Sequence, residues 1–207
     1  MTEVSRVAPR LIVFTDTTRA APALLLARFT ALAERAATGG VLFMLRDYQL
    51  ALRARWALAE QLAKLAERTR QGFGIAERAD LAHAFGCHAF HLPQSGLLAA
   101  DARHYLGPEV FLSRGSHDPT QLAESELDAV LLSPIFEARK GRPALGVAKL
   151  KRPVGVAKAL YALGGVNEKN AASCLIAEAA GVAVIGAALA PDPEPMLSAL
   201  GILISAT

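Results

Sequence analysis

The residues best equipped for chemistry in this 207-residue chain stand directly after short apolar runs. Asp16 and Thr17 follow LIVF, Arg46 and Asp47 follow VLFML, and Glu77 and Arg78 follow GFGIA, while His91 and Gln94 lie within and just beyond AFHL. Ser116 and His117 come next, then Lys140 in RKGR, then Gly164, Gly165 and Asn167 after YAL, and last Gly186 and Ala187 after VAVI. An unperturbed imidazole titrates near pH ~6.5, which suits proton transfer. His117 is the foremost candidate for that role, with a helix cap or a structural hydrogen bond as the alternative. Arg46 offers a planar fork for a phosphate or carboxylate, or else a rim ion pair with Asp47. Lys140 lies in a basic loop that could close over an anion or simply stay solvated. Small residues at Gly164, Gly165, Gly186 and Ala187 let backbone N–H groups approach a phosphate, although paired glycines also make ordinary turns. His91 reads as a satisfied interior histidine more readily than as a ligand, and His83, His88 and His104 read as structural.

Residues placed in this way need a scaffold that brings all the strand ends to one face. Apolar runs alternate with helical patterns along the whole chain. The spacing predicts strands at Leu11 to Thr15, Val41 to Leu45, Gly72 to Ala76, Ala89 to Leu92, Val110 to Ser113, Ala129 to Leu132, Ala157 to Leu163 and Val182 to Ile185. Runs such as VLFML and AVLL are continuously apolar, as strands of a parallel sheet covered on both faces must be. An open doubly wound sheet uses the same units, but no Gly-rich dinucleotide fingerprint follows the first strand. The expected fold is therefore an α/β protein, a (β/α)8 barrel forming one domain over residues 1–207, with chemistry at the C-terminal strand ends.

Composition narrows the function classes. The hydrophobic fraction is 53%, yet no run reaches the roughly 18 uninterrupted apolar residues of a spanning helix, so no membrane partner is expected. The net charge of +3 comes from basic residues interleaved with acidic ones, which makes a solvated face and argues against nucleic acid. A modest positive excess suits a small anionic substrate. Cys87 and Cys174 are far apart, so neither a disulfide framework nor a zinc site is indicated. With no signal-peptide pattern at the start, a reduced cytoplasmic setting is expected. A homo-oligomer is compatible with the chain but is not read from it.

The ordered strand-end residues resemble thiamine phosphate synthases and their sister group, the thiazole tautomerases. The resemblance is carried by Leu45-Arg46, the stretch Glu77 to Gln94, the Ser116-His117 pair, Ser133 to Phe136 with Gly141 to Gly146, and Tyr161 to Ala172 followed by Gly181 to Leu189. It implies a (β/α)8 barrel that joins thiazole phosphate to hydroxymethylpyrimidine diphosphate and releases diphosphate. In the family magnesium holds that diphosphate, so Mg2+ is implied as the cofactor and Glu77 as the remaining familiar carboxylate. In the synthase reading Arg46, Arg139 and Lys140 stand in for missing family contacts, and the resemblance places the glycines and His117 at the thiazole-phosphate end. Several positions depart from the family pattern. Met44 and Tyr48 stand where a pyrimidine-reading glutamine and a diphosphate-binding lysine are expected, Ala76-Glu77 replaces Asn-Asp, Gly96 replaces a second metal-binding aspartate, and Glu137-Ala138-Arg139 shortens a serine-threonine stretch. Three readings follow: a divergent synthase, a tautomerase-like isomerase using His117 as general acid and base, and a phosphate-ligand-binding barrel without catalysis.

Overall fold

The computed structural model describes residues 8–118, 125–139, 141–151 and 159–204. Its strands are β1 (Leu11–Phe14), β2 (Val41–Leu45), β3 (Gly72–Ala76), β4 (Ala89–Leu92), β5 (Phe111–Ser116), β6 (Ala129–Leu132), β7 (Ala159–Leu163) and β8 (Gly181–Val184). All neighbours pair in parallel and β1 also pairs with β8, so the sheet closes into a barrel. That closure excludes the open doubly wound sheet. The expected strands coincide with those observed at β2, β3, β4 and β6. β5 differs most, running on through Arg114, Gly115 and Ser116. These polar residues hide the strand from an apolar-run reading, and the extension sets His117 immediately at a strand end. Residues 157–158 of the expected seventh strand lie outside the described residues.

Alternate side chains along each strand point inward and outward. Val41, Phe43 and Leu45 of β2 join the large apolar layer beneath the helices, whereas Leu42 and Met44 join the barrel interior with Ile12, Phe14, Ala76, Leu131 and Tyr161. The interior mixes large and small residues so that they interlock. Gly74 is one of the small ones: an added Cβ there would lie 2.9 Å from the Met44 methyl and 2.7 Å from the Ala89 carbonyl oxygen.

Helices α1 (Pro22–Arg35) and α2 (Leu52–Thr69) cover the first strands. Pro22 suits the first helical position, where its missing N–H has no intrahelical use, and Leu25, Phe29, Leu32 and Ala33 form the buried stripe of α1. Among the described residues, no helix is long and apolar enough to cross a membrane. At the bottom of the barrel the buried Gln71 side chain accepts the Val41 N–H at 2.9 Å and donates to the carbonyls of Ala36 and Ala37 at 3.2 and 3.1 Å. One amide thus ties the end of α1 to the starts of β2 and β3. Tyr161 does similar work across the closure, donating its buried hydroxyl to the Pro9 carbonyl at 2.7 Å.

Candidate active site

A cavity of about 640 Å3 opens at the N-terminal strand ends, lined by residues such as Pro9, Val41, Gly72, His88 and Phe111. The chemically capable residues gather at the opposite end, as expected where βα loops carry function.

Asp16, just past β1, organises the first part of that face. Its Oδ2 accepts from Arg46 at 3.1 Å and from Arg19 Nε at 3.2 Å, while its Oδ1 accepts from the Thr18 hydroxyl and N–H. Burial works against this carboxylate, but the Thr18 hydroxyl and the Arg46 guanidinium prevail and hold its pKa below the ordinary value. The rim pairing considered for Arg46 with Asp47 is corrected here, because the partner of Arg46 is Asp16. Asp47 is turned inward and accepts from the Thr17 N–H and hydroxyl, both at 2.6 Å, and from Gln49 at 2.8 Å. It fastens the β1 loop to the β2 loop. Arg46 keeps about a third of its side chain exposed, enough to meet a ligand, with its own N–H held by the Thr15 hydroxyl.

Beyond β2 the polar groups are arranged differently from the family pattern. Met44 is fully buried in the barrel interior, so a thioether with little hydrogen-bonding capacity stands where the resemblance leads to the expectation of a pyrimidine-reading amide. Tyr48 lies over the Arg55 guanidinium, 5.7 Å from ring centroid to Cζ. Partial burial and the charge of Glu77 push its phenol up to about 12, so it remains neutral and supplies no cation. Arg55 is buried and donates to the Ala76 carbonyl at 2.7 Å. Glu77 is exposed and adopts a left-handed φ of 64°, with its N–H bonded to the His91 carbonyl.

These donors form no all-protein metal cage. Among the described residues no three His, Cys, Asp or Glu side chains converge on a common point, whereas octahedral magnesium held by protein and phosphate draws on one or two well-aimed carboxylates. Glu77 stands alone, Asp16 is committed through both oxygens to Arg46, Arg19 and Thr18, and Asp47 is buried and committed through Oδ1 to Thr17 and Gln49.

The two strand-end histidines play distinct parts. His91 is buried inside the barrel, with Nδ1 2.9 Å from the Ser113 hydroxyl and its ring edge-on to Phe14. Burial, then the charges of Arg114 and Arg46, drive its pKa down to about 3. His117 is half-buried at the end of β5, and its Nδ1 lies 2.7 Å from the Ser133 carbonyl oxygen and 3.1 Å from the Ser133 hydroxyl. A carbonyl only accepts, so Nδ1 carries the proton and Nε2 keeps its lone pair. That tautomer leaves a base directed away from Ser133.

The glycines close the ring of strand ends. Gly164 and Gly165 have φ values of 93° and 74°, and a Cβ at Gly165 would lie 2.6 Å from Glu137 Cγ and 2.9 Å from Phe136 Cβ. Glycine is needed here so that the loop after β7 can pack on the loop after β6, where the Ile135 and Phe136 N–H groups bond to the Leu163 and Gly164 carbonyls. Asn170 donates to the Gly165 carbonyl at 2.9 Å. Gly186 and Ala187 open a 3-10 turn, Gly186–Leu189. Arg19 reaches this turn, its Nη1 lying 3.1 Å from where a Gly186 Cβ would stand. Lys140 lies outside the described residues. The neighbouring Arg139 is exposed and pairs through its backbone with Arg142.

Two residues of this face escape a strand-end reading. Arg19 lies within a loop and has no strand next to it. Arg55 lies on α2, but it leads the buried series Leu58, Ala59, Leu62 and Leu65, so an arginine on an apolar helical stripe was a usable signal.

Comparison with known proteins agrees with this architecture. Residues 11–188 match the family described as thiamine monophosphate synthase. The thiamine-phosphate synthase of Koribacter versatilis is 34% identical over 92% of this chain and 93% of its own length. That of Mycobacterium bovis is 32% identical over 77% of this chain and 80% of its own. Among solved structures, the thiamine phosphate pyrophosphorylase from Pyrococcus furiosus superposes with a TM-score of 0.76 at 23% identity, covering 93% of each chain, a likeness of fold. With a match that spans nearly the whole barrel and relatives this similar, the chain belongs to the thiamine monophosphate synthase family.

Proposed function

We propose that the chain is a divergent thiamine phosphate synthase, joining thiazole phosphate to hydroxymethylpyrimidine diphosphate. The observation that carries this reading is the pair of guanidiniums, Arg46 and Arg19, held on one Asp16 oxygen at the mouth of a barrel of this family. The reaction forms a bond between the thiazole nitrogen and the pyrimidine methylene carbon and breaks the bond from that carbon to the diphosphate oxygen. The electron pair leaves with the diphosphate, so the main demand is to stabilise growing negative charge. Arg46 is suited to that by its permanent charge and fork geometry. Gly164, Gly165, Gly186 and Ala187 would seat the thiazole phosphate, and Lys140 would close over the diphosphate. With no all-protein metal cage among the described residues, the chain's own contribution to this charge stabilisation rests on its cations.

A second reading rests on His117. Its Nδ1 is committed to the Ser133 carbonyl and its Nε2 is available as a base, which suits a thiazole tautomerase-like proton transfer without metal.

The test is turnover of the purified protein with both substrates, with and without magnesium, and mass detection of thiamine phosphate. Product whose formation at low pyrimidine diphosphate concentration falls in Arg46→Ala supports the synthase. No product, with metal-independent proton exchange on a thiazole carboxylate phosphate that His117→Ala abolishes, replaces it with the isomerase. Binding of thiazole phosphate with neither turnover leaves a ligand-binding barrel.

A further inference from the structure

We propose that Arg19 is the cation that binds the phosphate of the thiazole substrate, and that Asp16 is the positioning residue that holds Arg19 and Arg46 as a two-anion clamp; this rests on the reading of the site as one for phosphorylated ligands. Three observations converge on it. Arg19 leaves the loop after β1 and crosses to the start of the turn after β8, where its Nη1 lies 3.1 Å from the Cβ position of Gly186. Gly186 does not have a positive φ, so its backbone would admit any residue. What its missing side chain provides is room for this guanidinium and whatever the guanidinium holds.

The second observation is the direction of the bonds. Arg19 is anchored through Nε to Asp16 Oδ2 at 3.2 Å, and among the described residues its two terminal nitrogens have no hydrogen-bonding partner. Nearly half of the side chain, 44%, is exposed. A guanidinium fixed at Nε and open at both Nη atoms presents the paired donors that match two phosphate oxygens. The third is charge placement. Asp16 Oδ2 also takes Arg46 at 3.1 Å, so one carboxylate neutralises one cation and two guanidiniums remain on the site with a net single positive charge. The reaction brings two anions together, and a cation for each lowers their mutual repulsion. Arg46 then serves the departing diphosphate and Arg19 the phosphate that stays on the product.

The test separates phosphate recognition from the rest of binding. Thiazole phosphate, pyrimidine diphosphate, the dephosphorylated thiazole alcohol and inorganic phosphate are titrated calorimetrically into the wild type, Arg19→Ala, Arg19→Lys and Asp16→Asn, with melting followed to show that each is folded. Arg19→Ala is expected to weaken thiazole phosphate and inorganic phosphate by about tenfold or more, the scale of a lost charged hydrogen bond, and to leave the alcohol unchanged. Arg19→Lys should recover part of the loss. Asp16→Asn should weaken both thiazole phosphate and pyrimidine diphosphate, because the loss of the anchor for both guanidiniums outweighs the added positive charge, and unchanged or tighter binding of both overturns its positioning role. Unchanged phosphate affinity in Arg19→Ala, or equal losses for phosphate and alcohol, overturns the assignment. The synthase reading fails separately: if no thiamine phosphate forms but Arg19→Ala still loses phosphate selectively, Arg19 stands and the reaction does not. If turnover occurs and the KM for thiazole phosphate is the same in Arg19→Ala, the reaction stands and Arg19 does not.

Discussion

Acidification from pH 7 to 5 should destabilise this protein chiefly through one side chain. His91 is buried in the barrel with Ser113 as its hydrogen-bonding partner, and its pKa lies at about 3, against 6.5 for an unperturbed histidine. The groups facing it are the Phe14 ring, Gly115 and the charges of Arg114 and Arg46, none of which welcomes an imidazolium. The folded pKa is depressed, so the unfolded chain binds the proton more tightly. The stabilisation is whole above the unfolded value and is lost as pH falls toward the folded one. Within that window each pH unit costs up to about 1.4 kcal/mol. From pH 7 to 5 the loss is about 2 kcal/mol, or about 4–8 °C in the thermal midpoint of a chain this size. The carboxylates of lowered pKa, Asp16, Asp47 and Asp80, titrate below this range. Urea unfolding of wild type and His91→Gln at half-unit steps from pH 7.5 to 5 would show it. The variant should start less stable and change little with pH. Parallel curves for the two proteins would refute the argument.

Other substitutions test the rest of the structure. Gly165→Ala should cost about 1–3 kcal/mol in urea unfolding, from a left-handed φ and a Cβ pressed on Glu137, whereas Gly39→Ala, with open space around it, should cost only the backbone part of this. Gln71→Ala should lose about 2 kcal/mol, because it strands the Val41 N–H and the Ala36 carbonyl, while the Ala37 carbonyl keeps the Gly40 N–H. Arg46→Ala should raise the KM for pyrimidine diphosphate by roughly tenfold or more, with Arg46→Lys between it and the wild type. Met44→Gln should lower that KM if the interior has room for an amide at the mouth, and should reduce stability by about 1–3 kcal/mol if the amide finds no partner.

The barrel was legible because its strands are covered on both faces and read as unbroken apolar runs. β5 reads short because Arg114, Gly115 and Ser116 interrupt that signal. Arg114 is tolerated in a strand because it donates to the carbonyls of Pro93 and Leu97 at 2.9 and 2.8 Å, a compensation made by loops distant in sequence. The positions of His117, Arg46 and the glycines could be read from strand ends alone. Their partners could not. Adjacency suggested Asp47 for Arg46, but successive residues at a strand end point to opposite sides, and the carboxylate within reach comes from the next strand of the barrel. Arg19 was hidden for the same reason: its neighbour Gly186 is distant in sequence and meets it only because β1 and β8 pair.

The seam between β1 and β8 also bears on biosynthesis. A ribosome adding about 5–20 residues per second needs on the order of ten seconds or more to deliver β8 after β1 has emerged. During that interval LIVF, an entirely apolar strand, has one edge without its final neighbour, and the Pro9 carbonyl waits for the Tyr161 hydroxyl. Nascent chains of this protein therefore carry an unpaired β1 edge until β8 has been made. A chain released before Gly181 lacks the strand that pairs with both β1 and β7, so two edges of its sheet lose the partners that close the barrel.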